Sequence, residues 1–431
     1  MKADWTIAQR HRTWKDPRMA FVPVAVDDLV EQHASEAGFL WSLRDAATRS
    51  PAYDLDDLVG LDGRLEAHLD GLRVAGDTGW RLACETLADV TEPGEAFVAA
   101  KIALDRGDMK GFAWVLDQVE ATPELLPALP AAVGFCAYED VDKVLRAMVA
   151  RTVPPPLRAM GIAGFTQHRR DPGAALSWAL SDDHQPLRLR GLAAAGDLGA
   201  RHLLAEVQHA MVTDDPPQRF WASRSAALLG DPGGVASLER LAQQADHPLA
   251  DEAARLAACL MDAAACQGFV GTLDSRGQRR QALAAAVASG AARLVSWLIS
   301  CMAEPEHARL AGFALFAITG VEIAGELEAE PPEVDESEDD FFEDVPDDPD
   351  DDLPWPDAEA VATGQQTMSY PDGRLLLGRP AERGWLDAVL RDGPQPLRQI
   401  AAWQRCGHRP GEPSFDVTAP VGRQRAALSV S

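Results

Sequence analysis

Five arginines return at one phase of this chain: Arg158, Arg188, Arg219, Arg309 and Arg398. A guanidinium presents a planar fork of donors that matches a carboxylate or phosphate. A same-phase row of them is therefore either a ladder of internal pairings, to acids and helix-end carbonyls of the neighbouring unit, or a basic stripe for an acidic ligand. Nucleophilic or phosphate-transfer text is missing: the chain has no Gly-rich phosphate loop, no Gly-x-Ser-x-Gly elbow, no His-Glu-x-x-His helix and no dinucleotide fingerprint. Acid pairs such as Asp56-Asp57 and Asp182-Asp183 read as helix caps. The six cysteines, at 84, 136, 259, 266, 301 and 406, form no Cys-x-x-Cys pair, and the ten histidines are dispersed. No disulfide framework, metal site or cofactor is expected from such spacing. The balance favours binding over catalysis.

The arginines sit in a longer repeat. Pro156-Leu157-Arg158 and Pro186-Leu187-Arg188 match fully, Pro217-Gln218-Arg219 in two places, and Pro248-Leu249 keeps the first two. The period is about 30 residues, the signature of stacked helical hairpins. Proline suits the first turn of a helix, where its missing N–H has no partner to lose. Acids before it, among them Asp182, Asp183, Asp214, Asp215 and Asp246, suit the positive helix end. Gly196-Asp197-Leu198-Gly199 and Gly230-Asp231-Pro232-Gly233 then read as turns. Beyond them, Ala200, Leu203, Leu204, Val207 and Met211 fall at helical steps, as do Val235, Leu238, Leu241 and Ala245. A lone hairpin cannot cover its apolar stripe, so neighbours must stack.

Weaker echoes lie at Pro127, Gln278-Arg279-Arg280, His307-Ala308-Arg309 and Pro396-Leu397-Arg398. Roughly six to eight hairpins are expected. The predicted fold class is all-α, an α-solenoid of HEAT-like helical hairpins with a helical N-terminal cap and an acidic disordered insertion. The predicted partition is 1–20 N-terminal tail, 21–125 helical N-terminal domain or cap, 126–325 repeat array, 326–358 acidic insertion and 359–431 C-terminal repeat and tail. Within the cap, Ala37 to Leu43, Leu58 to Leu72 and Trp80 to Leu87 read as three helices, and His33 and His68 read as packed or surface side chains.

Charge is the second informative property. The chain carries 67 acids against 40 bases, a net charge of −27. Glu326 to Glu359 holds 18 of those carboxylates and no Lys or Arg, so the excess is largely local. Glu326 to Asp352 reads as disordered or loosely held: poor in aliphatics, Pro-containing and self-repelling. It is either a solvated loop or an arm that docks on a basic partner or on the protein's own Arg-lined groove, with Phe341, Phe342 and Trp355 as apolar anchors. Proline on both sides of Trp355 fixes an extended path, and the indole plugs either the protein's own surface or a partner's. Calcium binding by Asp347 to Asp352 lacks the spaced ligands and central glycine of a proper loop. Nucleic acid is not an expected partner, because that needs a basic footprint.

At 431 residues and 46% hydrophobic, the chain can bury a sizeable core. No apolar run reaches the roughly 20 residues of a membrane span, so no membrane insertion is expected. Met1-Lys2-Ala3-Asp4-Trp5 lacks the plan of a secretion signal, and the cytoplasm is the expected compartment.

The acid, Pro, aliphatic, Arg order resembles the HEAT-like repeat proteins, including the short type first noticed in phycobilisome lyases. Three blocks are similar to one family of mostly uncharacterised proteobacterial proteins, known from myxobacteria and pseudomonads. The first is Val30-Glu31-Gln32-His33 to Phe39-Leu40-Trp41 with Leu65-Glu66-Ala67-His68-Leu69-Asp70-Gly71-Leu72. The second is Ala317-Ile318-Thr319-Gly320 followed by Asp351 to Asp357, and the third is Leu377-Gly378-Arg379-Pro380 with Phe415, Ala419-Pro420 and Arg423-Gln424. The resemblance covers nearly the whole chain. Members are frequently encoded near type VI secretion genes, which implies a non-catalytic adaptor or chaperone whose partner is an effector or spike component. The alternatives are an immunity protein that binds a toxin and a lyase-like enzyme of the HEAT-repeat type.

Overall fold

A computed structural model describes residues 26–244, 246–332 and 348–429. The chain is all-α. Its first helices are α1 (Asp27–Ala47), α2 (Leu55–Ala75), α3 (Asp77–Asp89), α4 (Pro93–Asp105), α5 (Met109–Ala121), α6 (Ala128–Gly134) and α7 (Tyr138–Met148). The central ones are α8 (Pro155–Gln167), α9 (Ala174–Leu180), α10 (Gln185–Asp197), α11 (Leu204–Ala210), α12 (Pro216–Leu228), α13 (Pro232–Ala242), α14 (Ala250–Leu260) and α15 (Ala263–Ser275). The last are α16 (Arg279–Ser289), α17 (Val295–Cys301), α18 (Pro305–Thr319), α19 (Ala358–Gln365), α20 (Arg383–Asp392), α21 (Gln395–His408) and α22 (Val421–Ser429). Two short antiparallel strands, β1 (Leu375–Leu376) and β2 (Arg379–Pro380), are the only ladder among the described residues.

Proline opens α8, α10, α12, α18 and α21 as its chemistry dictates. Pro248 does not. The helix there starts at Ala250, after a turn in which the His247 ring accepts a hydrogen bond from the Leu249 amide at 3.1 Å. The helices α8, α10, α12, α14, α16 and α18 pack each on the next, and α7, α9, α11, α13, α15 and α17 lie against this inner row. The row continues backwards through α6, α4 and α1 to α2. Small residues let it close up: a Cβ on Gly94 of α4 would collide with the Gly38 carbonyl of α1.

The interior is built of three apolar clusters joined through shared neighbours such as Val149 and Trp221. One apolar cluster runs from Val30 to Phe165 with no break at residue 125, so the expected cap boundary is not a boundary of the core. A second holds Ile162 to Leu229, and the largest joins residues from α12 onward to Leu55, Leu58 and Leu61 of α2. α2 thus serves two cores, since its Leu65, Leu69 and Leu72 belong to the first.

That sharing exists because the C-terminal segment returns across the inner row. α21 packs on α12 and α14, while α20 and α22 pack on α2. Polar pins fix the return. Arg44 of α1 donates to the carbonyls of Thr418 and Ala419 at 2.5 and 2.7 Å and to Asp62 at 2.9 Å. Asp62 also accepts the Val421 amide at the start of α22, at 2.7 Å. The Gln395 amide reaches Tyr53 O at 2.9 Å. Between the strands, Leu377 and Gly378 donate to Ala317 O and Ile318 O at 2.8 and 3.0 Å, satisfying the open end of α18.

Replacing Gly94 with Ala should lower stability by about 1–3 kcal/mol, because backbone, not a flexible side chain, stands in the way. Gly63→Ala, on the open face of α2, should instead raise it by about 0.5–1 kcal/mol. Urea titration of both variants checks the pair, and equal effects would contradict the close α1–α4 approach.

Candidate functional site

The phased arginines divide by role. Arg158 donates to Val153 O at 3.1 Å and pairs with Asp182 at 2.9 Å. Arg188 repeats the device one unit on, reaching Asp182 O at 2.6 Å and Gln218 at 2.7 Å, and Arg219 holds Thr213 O at 3.0 Å. These three tie the turn before their own helix, and two of them also hold the next unit. Arg398 is fully buried, against Leu390 O at 2.8 Å, Gln395 at 2.9 Å and Gln424, so it is no part of a surface stripe. Burial pulls its pKa down to about 10.

Arg309 faces the acidic insertion. It binds Asp348, lies 3.9 Å from Asp351, and stacks over the Trp355 ring at 4.7 Å. Trp355 is thus a half-buried plug on the protein's own surface. Phe341 and Phe342 lie outside the described residues. The neck of the insertion is closed, with the Ala329 amide donating to Trp355 O and the Asp357 amide to Leu327 O, both at 2.8 Å. Residues 348–352 are held rather than loose, because each aspartate among them except Asp351 has a donor at hydrogen-bonding distance.

Pro349, Asp350 and Leu353 of this segment line a cleft of about 500 Å³ between the α1–α2 corner, the inner helices α12 to α18, and α21. Its cations are Arg49, Arg224, Arg255 and Arg280; its anions are Asp251, Glu252 and Asp350. Arg280 grips Asp350 with both ends of its fork, at 2.9 and 3.0 Å, and Asp350 is 6% exposed. Arg224 reaches Asp197 at 2.9 Å, yet its Nε and Nη1 are buried without a hydrogen-bond partner among the described residues. Arg255 is exposed and makes no ion pair among them. Phe313, Leu310 and Trp403 supply apolar wall. Just behind the lining, Arg49 pairs with Asp45 at 2.7 Å and Arg224 with Asp197, so the cleft is a ring of ion pairs in which Arg255 alone has no carboxylate partner among the described residues.

Sequence reasoning left out Arg224, Arg255 and Arg280, although their signal was present. Arg280 has the phase of Arg158, and Arg224 and Arg255 each stand 7 residues after a phased proline, Pro217 and Pro248.

A smaller cavity of about 240 Å³ lies where α22 crosses α8, lined by Arg169, Arg405, Arg423, Asp416 and Cys406 among others. Arg423 donates to His168 Nδ1 at 2.8 Å and to Gln167 O at 3.1 Å, while His168 Nε2 donates to Val133 O at 3.1 Å. Burial and the adjacent Arg423 push the His168 pKa down to about 4. Elsewhere, His33 and His68 meet with their Nδ1 atoms 3.2 Å apart, and burial followed by His33 lowers the pKa of His68. Burial raises the thiols of Cys136, Cys301 and Cys406 to about 11 and those of Cys84 and Cys259 to about 12, so they stay protonated at neutral pH. Among the described residues no three His, Cys, Asp or Glu side chains are placed to hold a metal ion, and no helix is long and apolar enough to cross a membrane.

In comparisons with known proteins, no family model, no curated protein and no solved structure matches this chain.

His168 is neutral in the fold and protonates more readily when unfolded, so its contribution is present above pH 6.5 and is lost as pH falls towards 4. Wild-type stability should drop across that window by roughly 2 kcal/mol from this group after solvent screening. His168→Gln should flatten the slope. Urea midpoints from pH 7 to 4 test this, and an unchanged slope in the variant would refute it.

Proposed function

We propose that the chain is an α-solenoid of HEAT-like hairpins acting as a non-catalytic protein-binding scaffold, a cytoplasmic adaptor or chaperone that delivers an effector or spike component to type VI secretion. The fold class and the repeat-phased helices support the scaffold part. The secretion part rests on the resemblance of the three sequence blocks. The observation that carries the reading is the arginine-lined cleft, partly filled by the chain's own aspartates, since a built ion-pair surface of this kind suits recognition more than chemistry. Six free cysteines suit a reducing compartment.

Deleting the gene in its host should abolish export of one effector while that effector is still synthesised. Complementation by the wild-type gene should restore export, and a charge-reversed Arg255→Glu, Arg280→Glu gene should not. Export that continues unchanged in the deletion strain would overturn the adaptor reading. Sensitivity of the deletion strain to a neighbour's toxin, with export intact, would replace it by immunity.

A further inference from the structure

We infer that the cleft is a receptor for an acidic peptide segment of the partner, and that residues 348–353 are a cis copy of that ligand. The inference rests on the scaffold reading and adds the ligand class.

The cis segment shows what the cleft accepts. Its sequence is Asp348-Pro349-Asp350-Asp351-Asp352-Leu353, and it is folded into turns, with the Asp351 amide donating to Asp348 O at 3.1 Å and the Leu353 amide to Asp350 O at 2.9 Å. Asp350 enters the cleft and takes both donors of Arg280, Asp348 takes Arg309, and Asp352 accepts the Ser50 hydroxyl. Leu353, 8% exposed, adds one apolar contact to the same wall. The recognition pattern is therefore spaced carboxylates followed by an aliphatic side chain on a turned backbone.

The cis segment does not complete the site. Arg255 stands exposed at the wall with no ion pair among the described residues, while Arg224, paired with Asp197 and 4.0 Å from Glu252, keeps two buried nitrogens without a hydrogen bond. About 500 Å³ stays open beside them. Buried donors without acceptors are costly, and a guanidinium fork is best satisfied by a carboxylate. A partner segment bringing one more carboxylate reaches the exposed Arg255, which the cis segment leaves, and so displaces it. Multivalent carboxylates, not a basic or apolar peptide, match this donor set.

The test uses the full chain and a fluorescent synthetic peptide with the sequence of residues 348–356. Asp350→Asn weakens the cis contact, so peptide affinity measured by anisotropy should rise about tenfold over wild type as the fraction of open cleft increases. Adding Arg280→Ala should remove the gain. Arg255→Glu, an exposed position that disturbs no contact among the described residues, should weaken peptide binding in the otherwise wild-type chain, which keeps the test decisive if the Asp350 variant misfolds. A peptide with lysine at each acidic position should not bind. No binding to either chain, or binding unaffected by Arg255→Glu and Arg280→Ala, overturns the inference. If the peptide behaves as expected while effector export ignores Arg255→Glu, the adaptor reading fails and the cleft assignment stands; if export depends on the gene but the peptide never binds, the reverse holds.

Discussion

A row of amphipathic helices has two sides to cover, and this chain covers the second with its own C-terminal segment. The outer helices protect one side of α8 to α18, while α21 lies across α12 and α14 and α22 reaches back to α2. Everything near the cleft depends on this return, because Trp403, Ile400 and Gln395 of α21 form one of its walls. Loop-closure entropy grows only slowly with length, so joining residues 44 and 418 is less expensive than their separation suggests. What closure needs is a unique register. Arg44 and Arg423 supply it by donating to specific backbone carbonyls, which apolar packing alone would leave free to slide.

Local chemistry was legible in the sequence and global closure was not. Proline marked the starts of α8, α10, α12, α18 and α21 because a helix start is decided by a few adjacent residues. Pro248 misled by two residues, where the His247 ring caps the turn instead. The shared core of α2 left no periodic trace, since Leu58 and Leu65 look alike on one stripe and face different clusters. Yet several residues that the sequence singles out in short blocks are ones that close the chain. Ala317 and Ile318 accept from Leu377 and Gly378, Ala419 accepts from Arg44, and Gln424 accepts from Arg398.

The charge pattern acquires a physical meaning from the same geometry. A solvated acidic loop would need no partner, but Asp350 is nearly dry, and a dry carboxylate is tolerable only against a well-placed cation. Arg280 meets that need with a bidentate fork. Arg224, one helix contact away, has a single bonded nitrogen at Asp197, and each unmatched buried donor costs about 1–3 kcal/mol. The cleft thus holds donors that its resident anions do not fully satisfy.

Arg398 shows why phase alone could not assign these roles. It occupies the same repeat position as Arg158 and Arg188, two side chains that bind a turn carbonyl and the next unit. Around Arg398, α22 occupies the side where Arg158 and Arg188 meet the next unit. The guanidinium is therefore sealed between Leu390 O, Gln395 and Gln424, and a residue type suited to surface pairing becomes a buried polar hub. Position in a repeat dictates where a side chain begins; the neighbour it meets dictates what it does. By that rule the arginines next to the cleft, whose neighbour is an aspartate segment rather than another repeat, are the ones left able to exchange partners.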